Sequence, residues 1–90
     1  MIPYTRSSLE KIEALLTGEG YKIRYEKGSF RTGACVLQDS KIVVVNKFSD
    51  IEAKINSLIL ILQELEVDPS GLDENQKKFY FSIQQTKLSI

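Results

Sequence analysis

The chain has 90 residues, of which 42% are hydrophobic and 27% charged, a composition typical of one globular domain and not of a disordered segment. The formal net charge is zero, so no overall charge draws the chain to nucleic acid or to a membrane. There is no histidine, which removes the commonest general base and zinc ligand, and the single cysteine, Cys35, cannot form an internal disulfide.

A helix is predicted over residues 8–17, because Ser7 and Glu10 have the spacing of a capping box. Apolar residues then recur at the spacing of one helix face: Leu9, Ile12 and Leu16. Gly18 and Gly20 follow, and glycine accepts the left-handed conformation that ends many helices. The helix is therefore expected to stop before residue 20.

Three strands are predicted next. The first alternates, with Tyr21, Ile23 and Tyr25 on one face and Lys22, Arg24 and Glu26 on the other. The second covers residues 30–38, with a bulge or a close backbone approach at Gly33. The third, residues 42–45, consists of β-branched residues only, which is typical of a strand covered on both faces. Short connections between the strands predict an antiparallel meander.

The long helix, residues 50–66, is the predicted centre of the fold. Ser49 and Glu52 have the spacing of a second capping box. A stripe of apolar residues follows on one face: Ile51, Ile55, Leu58, Ile59, Leu62 and Leu65. Leu60 lies on the opposite side, so we expect either the last helix or another chain to cover it.

A loop is predicted at residues 67–73, since it contains Pro69 and Gly71. Asp73 and Gln76 then have the spacing of a third capping box, which opens a helix to about residue 86. Its expected inward residues are Phe79, Tyr80 and Ile83. The prediction is one α+β domain, residues 1–90, in which a three-stranded antiparallel meander packs on helices in the order α-β-β-β-α-α.

Residue types that could carry catalysis lack the partners that the chemistry needs. Cys35 has no histidine to generate a thiolate, so we interpret it as a small core residue. Carboxylate pairs stand two residues apart and do not share a helix face: Asp50 with Glu52, and Glu64 with Glu66. Three acidic residues lack the ligand spacing of a calcium loop: Asp68, Asp73 and Glu74. We predict a protein that is not an enzyme and has no metal and no cofactor.

Charge is unevenly distributed along the chain. Residues 20–48 carry six basic and two acidic residues, a balance of +4, whereas residues 49–76 carry seven acidic and one basic residue, a balance of −6. A basic sheet face can bind RNA when aromatic side chains on that face stack on the bases. The tyrosines of the first strand are expected on the other face, which weakens this hypothesis. The residues of the hypothetical nucleic-acid face are Lys22, Arg24, Arg31 and Lys47.

The segment from the first helix through GACVLQDSKIVVVNKF into the long helix resembles two groups of proteins. One is a set of small bacterial proteins of about this length, which implies no activity. The other is the strand-strand-helix segment of the small zincin metallopeptidases that accompany helix-turn-helix regulators, a resemblance that covers roughly residues 8–66. The H-E-x-x-H motif of those enzymes would fall at residues 58–62, where this chain reads Leu-Ile-Leu-Ile-Leu. The resemblance therefore implies a relative without zinc and without hydrolytic activity.

The leading hypothesis is a non-catalytic interaction or regulatory protein that forms a homodimer or binds another protein. The contact is expected on the Leu60 side of the long helix or at an exposed sheet edge. The candidate interface residues are Ala53, Asn56, Leu60, Ile61 and Glu64. Nucleic-acid binding on the basic sheet face is the alternative. A cytoplasmic location without membrane contact is expected, because the chain has neither a run of ~18 apolar residues nor an apolar N-terminal signal region.

Overall fold

The structure, a computed structural model, describes residues 2–27, 34–65 and 67–86. Its helices and strands are α1 (Arg6–Gly18), β1 (Lys22–Glu26), β2 (Ala34–Leu37), β3 (Ile42–Asn46), α2 (Ile51–Glu64) and α3 (Glu74–Gln85). The α+β class and the order α-β-β-β-α-α are confirmed. The predictions for Gly33 and Arg31 lie outside the described residues, as does the side chain of Cys35.

One of the three predicted helix N-caps is confirmed. The capping box of Asp73 and Gln76 is confirmed, since each side chain accepts a hydrogen bond from the other residue's backbone N–H, at 2.8 Å and 3.2 Å. The first two predicted caps are wrong. The hydroxyl of Thr5, not of Ser7, caps α1, and the carboxylate of Asp50, not the hydroxyl of Ser49, caps α2. In both places two residues that can cap lie within two positions of each other, and the sequence does not say which one the chain uses.

The strands do not form the predicted antiparallel meander. Their order is β1-β3-β2, with β1 parallel to β3 and β2 antiparallel to β3. The apolar strand β3 takes the central position, where strands flank it on both sides, and the charged strand β1 takes an edge. The stretch between Glu26 and Ala34 is long enough to span the two strand spacings, roughly 10 Å, that separate β1 from β2.

The helices form a layer on one face of the sheet. α1 packs on β1 and α2, α2 packs on β2, and α3 packs on α1 and α2. The largest fully buried side chains come from both layers: Ile12, Leu15, Leu16, Val43, Val45, Ile55, Leu58, Ile59, Leu62 and Ile83. The predicted stripe of α2 is thereby confirmed at its four central positions, and its terminal members, Ile51 and Leu65, are partly buried against the same core.

The turn before β3 contacts the start of β1 and the residues that lead into it. Lys41 has a φ of 52°, a left-handed conformation that is uncommon for a residue other than glycine. Its ammonium donates a hydrogen bond to the backbone carbonyl of Glu19 at 3.2 Å and lies 5.3 Å from the centre of the Tyr21 ring. Gly20, with a φ of 89°, follows α1 in the left-handed region, as predicted.

Candidate interaction surfaces

One face of the sheet is turned away from the helices, and we call it the open face. Val43 and Val45 are fully buried in the core beneath the helices, so the alternate residues of β3 point to the opposite side. Residues paired across strands share a face, which places seven described side chains on the open face: Lys22, Arg24, Glu26, Leu37, Ile42, Val44 and Asn46. Val44 is almost buried there, whereas Leu37 is 49% exposed. The open face is therefore apolar beside β2 and charged along β1.

Two residues of the predicted nucleic-acid face come together on the open face. Lys22 and Arg24 are both exposed there, and the guanidinium of Arg24 forms an ion pair with Glu26 at 2.8 Å. Lys47 lies beyond the end of β3, with its ammonium 5.3 Å from the ring of Phe48, which is 69% exposed. The carboxylate of Glu26 offsets part of the positive charge, so the described cluster is only weakly basic.

The tyrosines of the first strand lie on the helix side, as the alternation predicted. Tyr21 packs against the core, and the hydroxyl of Tyr25 donates a hydrogen bond to the Glu13 carboxylate of α1. The ammonium of Lys54 on α2 lies 5.6 Å from the Tyr25 ring. Burial, followed by the Glu13 carboxylate, raises the pKa of Tyr25 above its usual value, so its hydroxyl remains a neutral donor near pH 7. Tyr25 therefore fixes the end of β1 against two helices.

The outer edge of β1, which we call the β1 edge, has backbone groups that pair with none of the described residues. The N–H of Lys22 donates to Lys41, and the carbonyl of Glu26 accepts from Lys47. In a parallel pair, alternate residues direct both their N–H and their C=O group to the same neighbouring strand. In β1 the backbone groups that bond to β3 are those of Lys22, Arg24 and Glu26. Ile23 and Tyr25 direct their N–H and C=O groups to the opposite side, where none of the described residues pairs with them.

The predicted interface on α2 is not an exposed surface. Ile61 is only 7% exposed and belongs to the core, because α2 packs against α1, β2 and α3 on three sides. Ala53, Asn56 and Leu60 are half-buried, and only Glu64 is exposed. Ile61 is therefore buried within one chain, and the rest of that set forms a narrow strip of limited accessibility.

The side-chain amide of Asn56, on this strip, allows a prediction about the stability of the protein. Its Oδ1 atom is buried and has no hydrogen-bond partner among the described residues, which costs folding free energy. We expect Asn56→Ala to raise the free energy of unfolding by about 1 kcal/mol, through loss of that cost and a better helix propensity. Asn46→Ala is the matched control, expected to lower it, because Oδ1 of Asn46 accepts from the Phe48 N–H at 3.1 Å. Urea denaturation checks both, and a less stable Asn56→Ala variant would show that the amide oxygen is satisfied in solution.

A groove of about 160 Å³ lies between α1 and α3. Its lining includes Lys11, Ala14, Leu15, Asp73, Gln76 and Phe79. The ammonium of Lys11 lies 5.7 Å from the centre of the Phe79 ring and so covers part of the apolar wall. Asp73 and Gln76 are already engaged in capping α3, which leaves the groove with few polar groups that could orient a ligand.

The described residues contain neither a cluster suited to a metal ion nor a helix suited to a membrane. Within residues 2–27, 34–65 and 67–86, no group of three histidine, cysteine or acidic residues could hold a metal ion. No helix in that part of the chain is long and apolar enough to cross a membrane. At the position that the H-E-x-x-H motif would occupy, Leu58 and Leu62 are fully buried in the core.

Comparison with known proteins gives no relative: the chain matches no protein-family model, no curated protein and no solved structure. The surfaces of this chain are therefore the basis of its proposed function. The open face and the β1 edge are two parts of the sheet that no described helix or strand covers, and the outer edge of β2 is likewise unpaired with any described strand.

Proposed function

We propose that this protein is a non-catalytic interaction protein that self-associates, and that its contact surface is the sheet and not α2. One observation carries the proposal: β1 is an edge strand whose outer backbone groups have no partner among the described residues, beside a sheet face that the helices do not cover. An unpaired edge is a template for another strand. By contrast, α2 already has neighbours on three sides.

Charge and exposed apolar area also support self-association. The formal net charge is zero, so two copies repel each other little. Leu37, at 49% exposure, lies beside the half-buried Ile42 on the open face and offers apolar area to a partner. Most oligomers of soluble proteins are symmetric homodimers, so a second copy of this chain is the partner that we propose.

Light scattering coupled to size-exclusion chromatography tests the proposal at micromolar concentration. We expect the parent to approach twice the chain mass of 10.2 kDa as concentration rises. Leu60→Glu, on the half-buried strip of α2, is expected to remain folded by circular dichroism and to dimerise like the parent. A parent that is monomeric throughout would contradict self-association. A folded Leu60→Glu variant that is monomeric would move the contact to α2.

Nucleic-acid binding is the second candidate, since Lys22 and Arg24 are exposed together on the open face. A single-stranded RNA of mixed sequence, followed by fluorescence polarisation at low and at physiological salt, tests it. Proteins that bind through phosphates lose affinity steeply as salt rises. We expect no saturable binding at micromolar protein. Saturable, salt-sensitive binding that Lys22→Glu abolishes would favour the second candidate over self-association.

A further inference from the structure

We propose that two copies of the chain join through their β1 edges, antiparallel about a two-fold axis at Arg24, so that the two sheets become one. This inference rests on the proposed self-association and names its surface and register. The register follows from three properties of β1: which backbone groups are free, which charges lie on the open face, and which side chains lie beneath the helices.

The free backbone groups fit this register. In an antiparallel pair, residues that exchange two hydrogen bonds alternate with residues that exchange none. With the axis at Arg24, Ile23 pairs with Tyr25 of the second copy, and these are the residues whose N–H and C=O groups point outward. Arg24 lies in a pair that exchanges no hydrogen bonds with the second copy. This is required, because the N–H and C=O groups of Arg24 already bond to β3. Every outward backbone group of β1 thus finds a partner.

The charges on the open face are complementary in the same register. Lys22 lies opposite Glu26 of the second copy, and Glu26 lies opposite Lys22 of the second copy. Both are sites without hydrogen bonds, where facing side chains come closest, about 4.5 Å between Cα atoms. Opposite charges at such positions stabilise strand pairing, and like charges oppose it.

On the helix side, Ile23 meets Tyr25 of the second copy. Pairs of a β-branched and an aromatic residue are among the cross-strand pairs that stabilise sheets. The Tyr25 ring is held in place by its hydrogen bond to Glu13 before a second copy arrives. The side chain therefore loses little further rotational freedom on binding.

Arg24 faces Arg24 of the second copy, which is the unfavourable contact of this arrangement. Each guanidinium is already paired with Glu26 of its own chain at 2.8 Å, and its diagonal neighbours across the axis are Glu26 and Lys22 of the second copy. The two carboxylates therefore face the two guanidiniums as well as the two Lys22 ammoniums, and the paired strands keep a net charge of +2 on the open face.

A register centred on Ile23 sets Lys22 against Arg24 of the second copy. A register centred on Tyr25 sets Arg24 against Glu26 of the second copy, but it directs Ile23 to Lys27, beyond the end of β1. Within the bounds of β1, both registers pair fewer of the outward backbone groups.

Charge reversal tests the register, with sedimentation equilibrium of the intact protein as the readout. Lys22→Glu and Glu26→Lys each create two like-charge pairs across the axis, and we expect each to weaken dimerisation about ten-fold or more. The double variant, Lys22→Glu with Glu26→Lys, restores both opposite-charge pairs and is expected to dimerise like the parent. Lys78→Glu makes the same change of charge on the exposed surface of α3 and is expected to have no effect.

Each outcome has a distinct meaning. A parent that dimerises and single variants that dimerise equally well would overturn the β1 register and leave self-association standing through another surface. Single variants that weaken the dimer without rescue by the double variant would overturn the axis at Arg24. A monomeric parent would overturn both this inference and the proposed function. The substituted side chains point to the open face and away from the helices, so the monomer fold is expected to persist, which circular dichroism checks.

Discussion

Leu58→Ala is expected to lower the free energy of unfolding by about 2–5 kcal/mol, which is the usual cost of a large-to-small change at a buried leucine. Leu58 is fully buried in the middle of the α2 stripe, at the centre of the helix layer. Truncation removes apolar area from the core and leaves a cavity that neighbours on three sides cannot easily fill. Urea denaturation measures the change.

Glu64→Ala is the matched control for Leu58→Ala, because Glu64 is exposed near the end of the same helix. It is expected to change stability by no more than about 0.5 kcal/mol, as exposed positions usually do. If Leu58→Ala stayed within that same range, the stripe of α2 would not be the core of the fold.

Gln63→Ala is expected to lower the free energy of unfolding by about 1–3 kcal/mol, because it removes two part-buried hydrogen bonds between helices. The carbonyl of Ile83 keeps the N–H of Thr86 as a donor, whereas the carbonyl of Thr86 loses its described donor. Nε2 of Gln63 donates to the backbone carbonyls of Ile83 and Thr86, each at 2.8 Å. The last carbonyls of a helix have no partner within the helix, so this amide ties the end of α3 to α2. Urea denaturation measures the loss, and native-state hydrogen exchange is expected to show that the α3 amides open first.

The exposed Gln84 of α3 supplies the control for Gln63→Ala. Gln84→Ala removes the same side chain without a bond between helices and is expected to be nearly neutral. Equal stability of the two variants would mean that the Gln63 amide does not hold α3 on α2.

Features that depend on neighbouring residues in the chain could be predicted from the sequence. The α2 stripe, the alternation of β1 and the capping box of Asp73 each follow from a short spacing that fixes which side chains share a face or a turn. These features were confirmed because the tertiary environment agreed with the local pattern.

The strand order could not be predicted in the same way. Short connections favoured pairing of consecutive strands. The stability of a sheet also depends on which strand lies in the middle, with a neighbour on each side, and β3, the most apolar strand, takes that position. The role of Gln63 could not be predicted from the sequence for a similar reason. Its acceptors lie twenty or more residues away, at the end of a helix whose position only the fold determines.

For the same physical reason, the sequence could not decide between α2 and a sheet edge as the contact surface. A helical projection of α2 shows that Leu60 and Ile61 are apolar, but it does not show that α1, β2 and α3 already pack against the helix. The alternation of β1 did indicate that Lys22 and Arg24 share a face. That β1 is an edge strand, with Ile23 and Tyr25 directed outward, became apparent only with the parallel pairing to β3.

Hydrogen exchange at the backbone N–H groups of β1 tests the shared sheet most directly. We expect the N–H of Arg24 to be protected at every protein concentration, because it serves β3 within one chain. The N–H groups of Ile23 and Tyr25 are expected to exchange quickly in dilute protein and to become protected as concentration rises into the dimer range. Rapid exchange of Ile23 and Tyr25 at concentrations where light scattering shows a dimer would contradict pairing through the β1 edge.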